Sequence, residues 1–462
     1  GPGGVPLIFD PFVMPVTDRQ NFLSNFANGL WTADPNLRAA YVHQYSLGYE
    51  REIFKDMALE IRYVGNKVPN AWRAFDINEV NIFENHFLQE FNNAKINLAA
   101  NGGTTFAPGC ATCVATPLLD KLFAGLSSNS GYTSSGFISN LNNNNVGTMA
   151  STLAFNSNYR ANRENPANGI AANFFVANPN ATFSRILTND AISNYNALEI
   201  ELRKRFSAGL QFQFDYTWSK AMGDAVDAQG NNQSDLVNRL TLRHPELDYR
   251  RSGQDQTQRI AANGIYELPF GPGKPFLSDT NGFVSRLVGG WTIGAIYVWS
   301  TGVPFFIQSG RATFNSATAN NGAQLVGISF EDFKKNVGLF KTPGGILFIN
   351  PDILDLTFNS AGKIATSRLK SGLMSSPAPG TFGNFPVNSL DGPQYWNLDF
   401  SLIKRIPITE KVRLEFKVTA INILNHANFI YGTTSFDSST FGLITTQRGG
   451  SRSLNWIGQL RF

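Results

Sequence analysis

The sequence predicts an all-β fold, an antiparallel transmembrane β-barrel represented by about nine strands, with long loops that contain short helices. Three observations predict it. Segments of roughly ten residues alternate between apolar and polar side chains, turn residues separate these segments, and 13% of the chain is aromatic while only 16% is charged. A barrel strand needs only about 9 to 11 residues, of which every second one faces lipid.

The segment Ser453–Phe462 shows the alternation and ends on an aromatic residue. Its side chains divide between two faces, with Ile457 as the one exception. A period of two indicates a β-strand, because successive side chains point to opposite sides of a sheet. One face carries Leu454, Trp456, Gly458, Leu460 and Phe462, and the other carries Ser453, Asn455, Gln459 and Arg461.

The segment Tyr195–Met222 predicts a hairpin with a tight turn at Ser207–Gly209. Both strands have one apolar face, on which Lys204 is the only charge, close enough to the turn to reach a membrane interface. The polar side chains of the opposite face are predicted to line the barrel lumen. They are Glu199, Glu201, Arg203, Arg205, Gln211, Gln213 and Asp215.

The remaining strands are predicted with connections that are alternately short and long. They are Tyr41–Ile53, Met57–Gly65, Gln258–Leu268, Trp291–Ser300, Tyr395–Ile406 and Val412–Asn425. Long loops rich in Asn, Gly and Ser are predicted at about 66–194, 223–255, 301–394 and 426–452. Short helices are predicted by helical spacing over Ile82–Phe91 and in Thr116–Leu126 and Phe283–Val288. Outer-membrane barrels alternate short turns with long loops in the same way. We therefore expect residues 1–462 to belong to one barrel domain.

Other classes of protein fit the sequence less well. A soluble β-sandwich also alternates, but large aromatics near strand ends, such as Trp218 and Trp291, are typical of membrane interfaces. No segment reaches the roughly 18 to 20 consecutive apolar residues that a spanning helix needs. A net charge of +4 and a pI near 8.9 are too mild to indicate a nucleic-acid partner.

Five stretches resemble the barrel half of TonB-dependent outer-membrane receptors, in the subgroup with a carboxypeptidase-regulatory-like N-terminal domain. They are Tyr41–Lys67, Tyr195–Asp224, Tyr266–Ser278, Gly289–Phe305 and Asn397–Phe429. The resemblance implies the outer membrane of a Gram-negative bacterium, with the long loops extracellular. Receptors of this kind have 22 strands, so the chain is expected to be the C-terminal portion of such a barrel.

The resemblance also implies partners. These are outer-membrane lipid, the barrel-assembly machinery, an unidentified extracellular ligand, and the TonB energising complex, which acts through a plug. Trp456, Leu460 and Phe462 are expected to form the assembly signal. Regulatory domain, TonB box and plug are not found in the sequence, and Gly1–Phe12 reads like the middle of a loop, so we expect a fragment.

Cys110 and Cys113, the two cysteines, are separated by two residues. They could form a redox pair, half of a zinc site or a local disulfide. A zinc site would need two more ligands, which the scattered His43, His86, His244 and His426 do not obviously supply. A structural disulfide is therefore the expectation, and no metal or cofactor is predicted.

Four other motifs have simple structural interpretations. In Gly271-Pro272-Gly273-Lys274, Leu268 replaces the first glycine of a phosphate loop and Pro275 follows the lysine, so a turn is expected. Glu199 and Glu201 are expected to contact plug or solvent. The arginines of the segment Arg239–Arg259 could attract an anion, although a solvated face is favoured. The stripe Phe83, Phe87 and Phe91 is expected to pack helices together.

The sequence thus predicts a receptor that binds and gates a ligand without covalent chemistry. The alternative is a surface adhesion or interaction protein whose loops sit on a barrel anchor. A barrel enzyme is disfavoured, because no serine, histidine and acid grouping has the context of a nucleophile elbow.

Overall fold

The computed structural model describes residues 29–224, 239–280, 282–317, 321–409 and 412–462. Its largest element is an antiparallel sheet, here called the wall, in which nine long strands pair in chain order. Strands β1 to β9 are His43–Phe54, Met57–Asp76, Ser184–Ser207, Leu210–Gly223, Gln258–Glu267, Trp291–Ser300, Tyr395–Pro407, Arg413–Ile421 and Ser453–Arg461. The predicted antiparallel all-β fold is confirmed.

The strand register keeps like side chains on the same face of the wall. Ile200 of β3 lies between Ile61 of β2 and Tyr216 of β4. One residue earlier, Glu199 lies opposite Arg62 and Thr217. The wall therefore has an apolar face and a polar face, as a period of two requires.

Short and long connections alternate along the wall. The short ones lie at one end of the strands and are 55–56, 208–209, 268–290 and 408–412. The long ones lie at the opposite end and are 77–183, 224–257, 301–394 and 422–452. We call these the short-turn end and the long-loop end of the wall. Ala208 and Gly209 have φ values of 51° and 77°, which is the conformation that a two-residue hairpin turn of type I′ needs.

Several predicted boundaries were wrong. Strand β2 runs to Asp76 instead of Gly65, and β3 begins at Ser184 instead of Tyr195, so the first loop shortens to 77–183. Register shifts between Val68 and Arg73 break the alternation, which hid this extension from a period-two pattern. Strand β8 ends at Ile421 instead of Asn425, because Asn422 and Asn425 adopt left-handed φ values of 52° and 49°. Gly1–Phe12 and residues 225–238 lie outside the described residues.

The first long loop folds into a helical lobe. Its helices α1 to α5 are Phe87–Ala100, Pro117–Phe123, Ser135–Asn142, Val146–Phe155 and Ser157–Arg163. In α1 the buried residues Phe87, Phe91, Ala94 and Leu98 recur every three to four positions, so one face enters the core. Around them pack side chains from the other helices, including Leu119, Leu122, Phe137, Leu141, Met149 and Leu153.

Helix α6, Gly282–Val288, lies in the connection 268–290 at the short-turn end. Its bounds agree with the predicted Phe283–Val288 to within one residue. Within the described residues, no helix has the length and apolarity needed to cross a membrane.

The third and fourth long loops together form a β lobe, where the sequence had indicated turns and coil. It contains helix α7, Phe330–Lys335, and short strands at Pro304–Phe305, Gln324–Leu325, Val337–Thr342, Gly345–Ile349, Leu354–Phe358, Ile364–Leu369, Met374–Ser375, Leu390–Asp391, Asn428–Phe429, Leu443–Ile444 and Gln447–Arg448. These strands are too short for alternation to identify them. Gly345–Ile349 also pairs with Leu443–Ile444 of the fourth loop, which joins the two loops around one core.

Candidate ligand-binding site at the loop junction

The two lobes meet through aromatic side chains from three loops. The Phe314 ring of the β lobe lies 4.6 Å from Phe83 of the helical lobe and 4.8 Å from Phe382, measured between ring centroids. His244 of the second loop contacts both Phe314 and Phe382. Off-centre aromatic contacts of this kind stabilise a packed interface. The loops at the long-loop end therefore form one cap.

Polar groups complete the same junction. Glu79 Oε1 accepts hydrogen bonds from Thr241 Oγ1 at 2.7 Å and Asn315 Nδ2 at 2.6 Å, and Glu79 Oε2 accepts one from the Leu242 amide at 2.7 Å. These donors come from the second and third loops. A half-buried carboxylate with three donors holds all three loops in fixed positions.

A buried ion-pair cluster anchors the second loop to the wall. The side chain of Arg73, in β2, is 2% exposed. Its Nη2 lies 2.6 Å from Asp248 Oδ2 and its Nη1 lies 3.3 Å from Asp224 Oδ2. Asp248 also accepts a hydrogen bond from the Leu240 amide. Because a buried charge needs partners, this cluster ties loop residues to the end of the sheet.

Between the lobes and the wall lies a cavity of about 300 Å³, which we call the junction cavity. It is lined by Asp76, Asn78, Glu79, Val80, Ser151, Phe155, Thr182, Arg185, Arg239, Leu242, Asn315, Ser316 and Ala317. Most of its lining side chains are polar, and its volume lies at the lower end of the range for small-ligand sites.

Two arginines give the junction cavity its chemistry. The Arg185 guanidinium lies 4.1 Å from the ring centroid of Phe183, and that of Arg239 lies 5.4 Å from Phe75. Arg239 also forms an ion pair with Asp190. The Nε atoms of both arginines are buried without a hydrogen-bond acceptor among the described residues. Planar guanidinium donors suit carboxylate and phosphate groups.

The acids of the junction cavity are already engaged. Asp76 Oδ1 accepts hydrogen bonds from the amides of Asn78 at 2.9 Å and Ser184 at 2.8 Å, and both oxygens of Glu79 are used. Asp76 Oδ1 and both oxygens of Glu79 therefore already have donors from the protein. Within the part of the chain that the structure describes, no three His, Cys, Asp or Glu side chains group closely enough to hold a metal ion.

The predicted lumen-facing residues lie elsewhere, on the polar face of the wall. Glu199 accepts a hydrogen bond from Arg62 Nε at 3.2 Å, Glu201 lies 3.8 Å from Arg203, and Asp215 accepts from Gln213 at 3.2 Å. A trough of about 570 Å³ brings Arg203, Gln211 and Gln213 together with residues of four other strands, among them Asp399 and Lys417. Arg205 lies nearer the short-turn end, beside Glu50 and Glu52.

The residues expected to form the assembly signal lie on the last strand. In the register, β9 pairs with β8, which places Trp456 opposite Val418 and Leu460 opposite Leu414. Trp456 and Leu460 are exposed, and Phe462 is 91% exposed at the short-turn end. All three side chains are therefore exposed apolar surface on the last strand of the wall.

The other sequence motifs have structural settings. A disulfide joins Cys110 to Cys113 in the segment between α1 and α2. Phe87 and Phe91 are fully buried in the helical lobe. Lys274 of the glycine-rich turn forms an ion pair with Glu267 at 3.0 Å.

The segment Arg239–Arg259 was expected to be a solvated face, but three of its arginines, Arg239, Arg243 and Arg251, are paired with acids. Arg243 pairs with Glu84, and Arg251 lies 2.7 Å from both Asp255 and Asp391. These acids come partly from other loops, which a reading of the local charge pattern could not anticipate.

Sequence reasoning missed the residues that build the junction cavity. Glu79, Arg185 and Asn315 belong to segments predicted as loop, and no local pattern distinguishes them. Arg73 offered one signal, since it is a charge between Trp72 and Ala74 in a mostly apolar stretch. Its partners follow it by more than a hundred residues.

The wall and its cap define a class of protein, a membrane β-barrel whose long loops fold over one end. A family model described as "Outer membrane beta barrel domain" matches residues 4–455. The chain belongs to this family. The predicted location in the outer membrane is thereby confirmed.

Solved structures similar to the chain include three outer-membrane proteins. The transporter YddB from Escherichia coli has a TM-score of 0.37 at 8% identity, over 94% of this chain and 34% of that one. The pyoverdine receptor FpvA from Pseudomonas aeruginosa PAO1, bound to pyoverdine, has 0.32 at 10%, over 95% and 31%. The FrpB iron transporter from Neisseria meningitidis (F3-3 variant) has 0.31 at 9%, over 94% and 33%.

The chain spans about a third of the length of these solved structures. No curated protein matches it.

Proposed function

We propose that the chain is part of an outer-membrane receptor that takes up a ligand by TonB-dependent binding and gating, without covalent chemistry. The observation that carries the proposal is the junction cavity, which three loops build with fixed side chains. A protein that only displays loops for adhesion has no need of such a cavity. The resemblance of five sequence stretches to TonB-dependent receptors supports the same conclusion.

In this proposal the long-loop end faces the cell exterior and the short-turn end faces the periplasm. Outer-membrane barrels have short periplasmic turns and longer extracellular loops, and the wall has the same asymmetry. The cap would then meet the ligand first, and the junction cavity would hold it.

The polar face of the wall would contact the plug through which a TonB complex acts. Its charges stand in series, with Arg62 and Arg203 beside Glu199 and Glu201. Such a face suits a hydrated or protein-filled lumen better than lipid.

The ligand class follows from the junction cavity. The two guanidinium groups that line the junction cavity favour a small ligand with a carboxylate or phosphate group. Burial on aromatic rings keeps both guanidinium planes in place and reduces competition from water.

The test compares three strains of the source bacterium in a defined medium of carboxylate and phosphate compounds. One strain lacks this gene, one lacks TonB, and one carries Arg185→Gln together with Arg239→Gln. We expect the same compounds to remain undepleted in all three, while a strain with the exposed Arg368→Ala behaves like the wild type.

Two results would contradict the proposal. If compounds are depleted normally without the gene, the protein is no receptor for them. If surface attachment of cells is lost without the gene but kept without TonB, adhesion is the better function.

A further inference from the structure

The connection 268–290 at the short-turn end exposes an unusual amount of apolar surface. Phe283 and Leu287 of α6 are 80% and 59% exposed, and Phe276, Leu277 and Val284 are also exposed. The other connections at this end contain at most five residues. Contiguous exposed apolar groups mark surfaces that contact protein or membrane.

The C-terminal end of α6 is fixed to the apolar face of the wall. Trp291 Nε1 donates a hydrogen bond to the Leu287 carbonyl at 3.0 Å, and Lys404 Nζ donates to the carbonyls of Leu287, at 2.8 Å, and Gly289. Trp291 and Lys404 face each other in the register of β6 and β7. Both share their face with Ile293 and Leu402, so the helix sits on the side of the wall that faces lipid.

A glycine lets the chain turn so closely against β7. Gly290 has a φ of 72°, and a Cβ atom there would lie 2.2 Å from the Arg405 carbonyl oxygen. The Arg405 amide donates to the Gly290 carbonyl at 2.9 Å. The backbone between α6 and β6 therefore packs directly against β7.

The first half of the same connection turns toward the polar face. Lys274 pairs with Glu267, which lies opposite Thr292 on the polar side of the register. The connection thus crosses the rim of the wall, and α6, with its exposed Phe283, Val284 and Leu287, is the part on the lipid side.

We propose that α6 rests in the phospholipid leaflet at the short-turn end, as an interfacial anchor. Phe283, Val284 and Leu287 would enter the boundary between headgroups and acyl chains, continuous with the lipid-facing surface of the wall. Arg286, exposed on the same helix, would reach the phosphate groups. The proposal rests on membership of the outer-membrane barrel family and does not need the transport function.

The experiment uses the full protein in isolated outer membranes, with single cysteines labelled by the polarity-sensitive fluorophore NBD. Phe283→Cys and Leu287→Cys test the anchor, and Lys274→Cys in the same connection is the matched control. Cys110 and Cys113 are bonded to each other and do not react. Heat-modifiable mobility on gels verifies that each variant is folded.

We expect emission at shorter wavelength from positions 283 and 287 than from 274, and at least threefold stronger quenching by a phospholipid that carries a spin label near its headgroup. Equal, water-like emission from all three positions would overturn the proposal. Emission at shorter wavelength without quenching by lipid would also overturn it, because a second copy or a periplasmic protein would then cover the helix.

Discussion

The wall and the cap bury polar groups in different ways. In the wall, each residue's surroundings follow from its position in an alternating pattern, so Val418 and Thr419 face opposite sides. In the cap, polar groups are buried one at a time and each has its own partners. Arg163, for example, donates to the Leu153 and Ala154 carbonyls at the C-terminal end of α4. A local rule governs the wall, whereas individual contacts govern the cap.

The buried charge where wall and cap meet gives the largest expected effect. Arg73→Ala leaves Asp224 and Asp248 without their common partner, so we expect the cap to lose about 3–5 kcal/mol of stability. Hydrogen exchange of the second loop in urea measures the loss. The exposed Arg368→Ala serves as control, and an equal effect of both variants would refute the role of the cluster.

A pair of neighbouring substitutions tests the alternation of the wall. Val418 pairs with Leu402 and Trp456 on the apolar face, whereas Thr419 pairs with Ser401 and Asn455 on the polar face. We expect Val418→Arg to cost about 2–4 kcal/mol in a bilayer and Thr419→Arg much less. Urea titration of protein folded into phospholipid vesicles compares them. Similar losses would mean that the faces are assigned wrongly.

The disulfide of the helical lobe has a smaller expected effect. The bond between Cys110 and Cys113 closes a very short loop, and changing both residues to serine is expected to cost about 2 kcal/mol or less. Protease sensitivity of the lobe under oxidising and reducing conditions measures it. A lobe that unfolds completely on reduction would show that the bond does more than hold one turn.

The smallest effect concerns pH. Glu90 Oε1 accepts from the amides of Leu118 and Leu119, at the start of α2, and burial raises the pKa of Glu90 above its ordinary value of 4.5. The folded lobe therefore holds this proton more tightly than the unfolded chain, and its stability falls as pH rises from 4.5 through the raised pKa. Glu90→Gln should flatten this dependence, as urea midpoints at several pH values can measure. An unchanged slope would place the titration on another group.

The sequence predicted the wall well and the candidate site hardly at all. It placed β6 at Trp291–Ser300 without error, because lipid on one side of a strand imposes an alternation that ten residues suffice to show. It missed the parts of β2 and β3 nearest the long-loop end, residues 66–76 and 184–194, where register shifts interrupt the alternation. The β lobe was missed because its strands are short and packed around a core of their own.

By itself, then, the sequence determined the fold class, the strands and the two faces of the wall, since these depend on neighbours two residues apart. The tertiary structure alone decided the junction cavity, the buried ion pairs and the side of the wall on which α6 lies. Their partners are distant in sequence, with a separation of 175 positions from Arg73 to Asp248 and of 236 from Glu79 to Asn315. No local period can encode a contact across such a separation, because it exists only once the loops have packed.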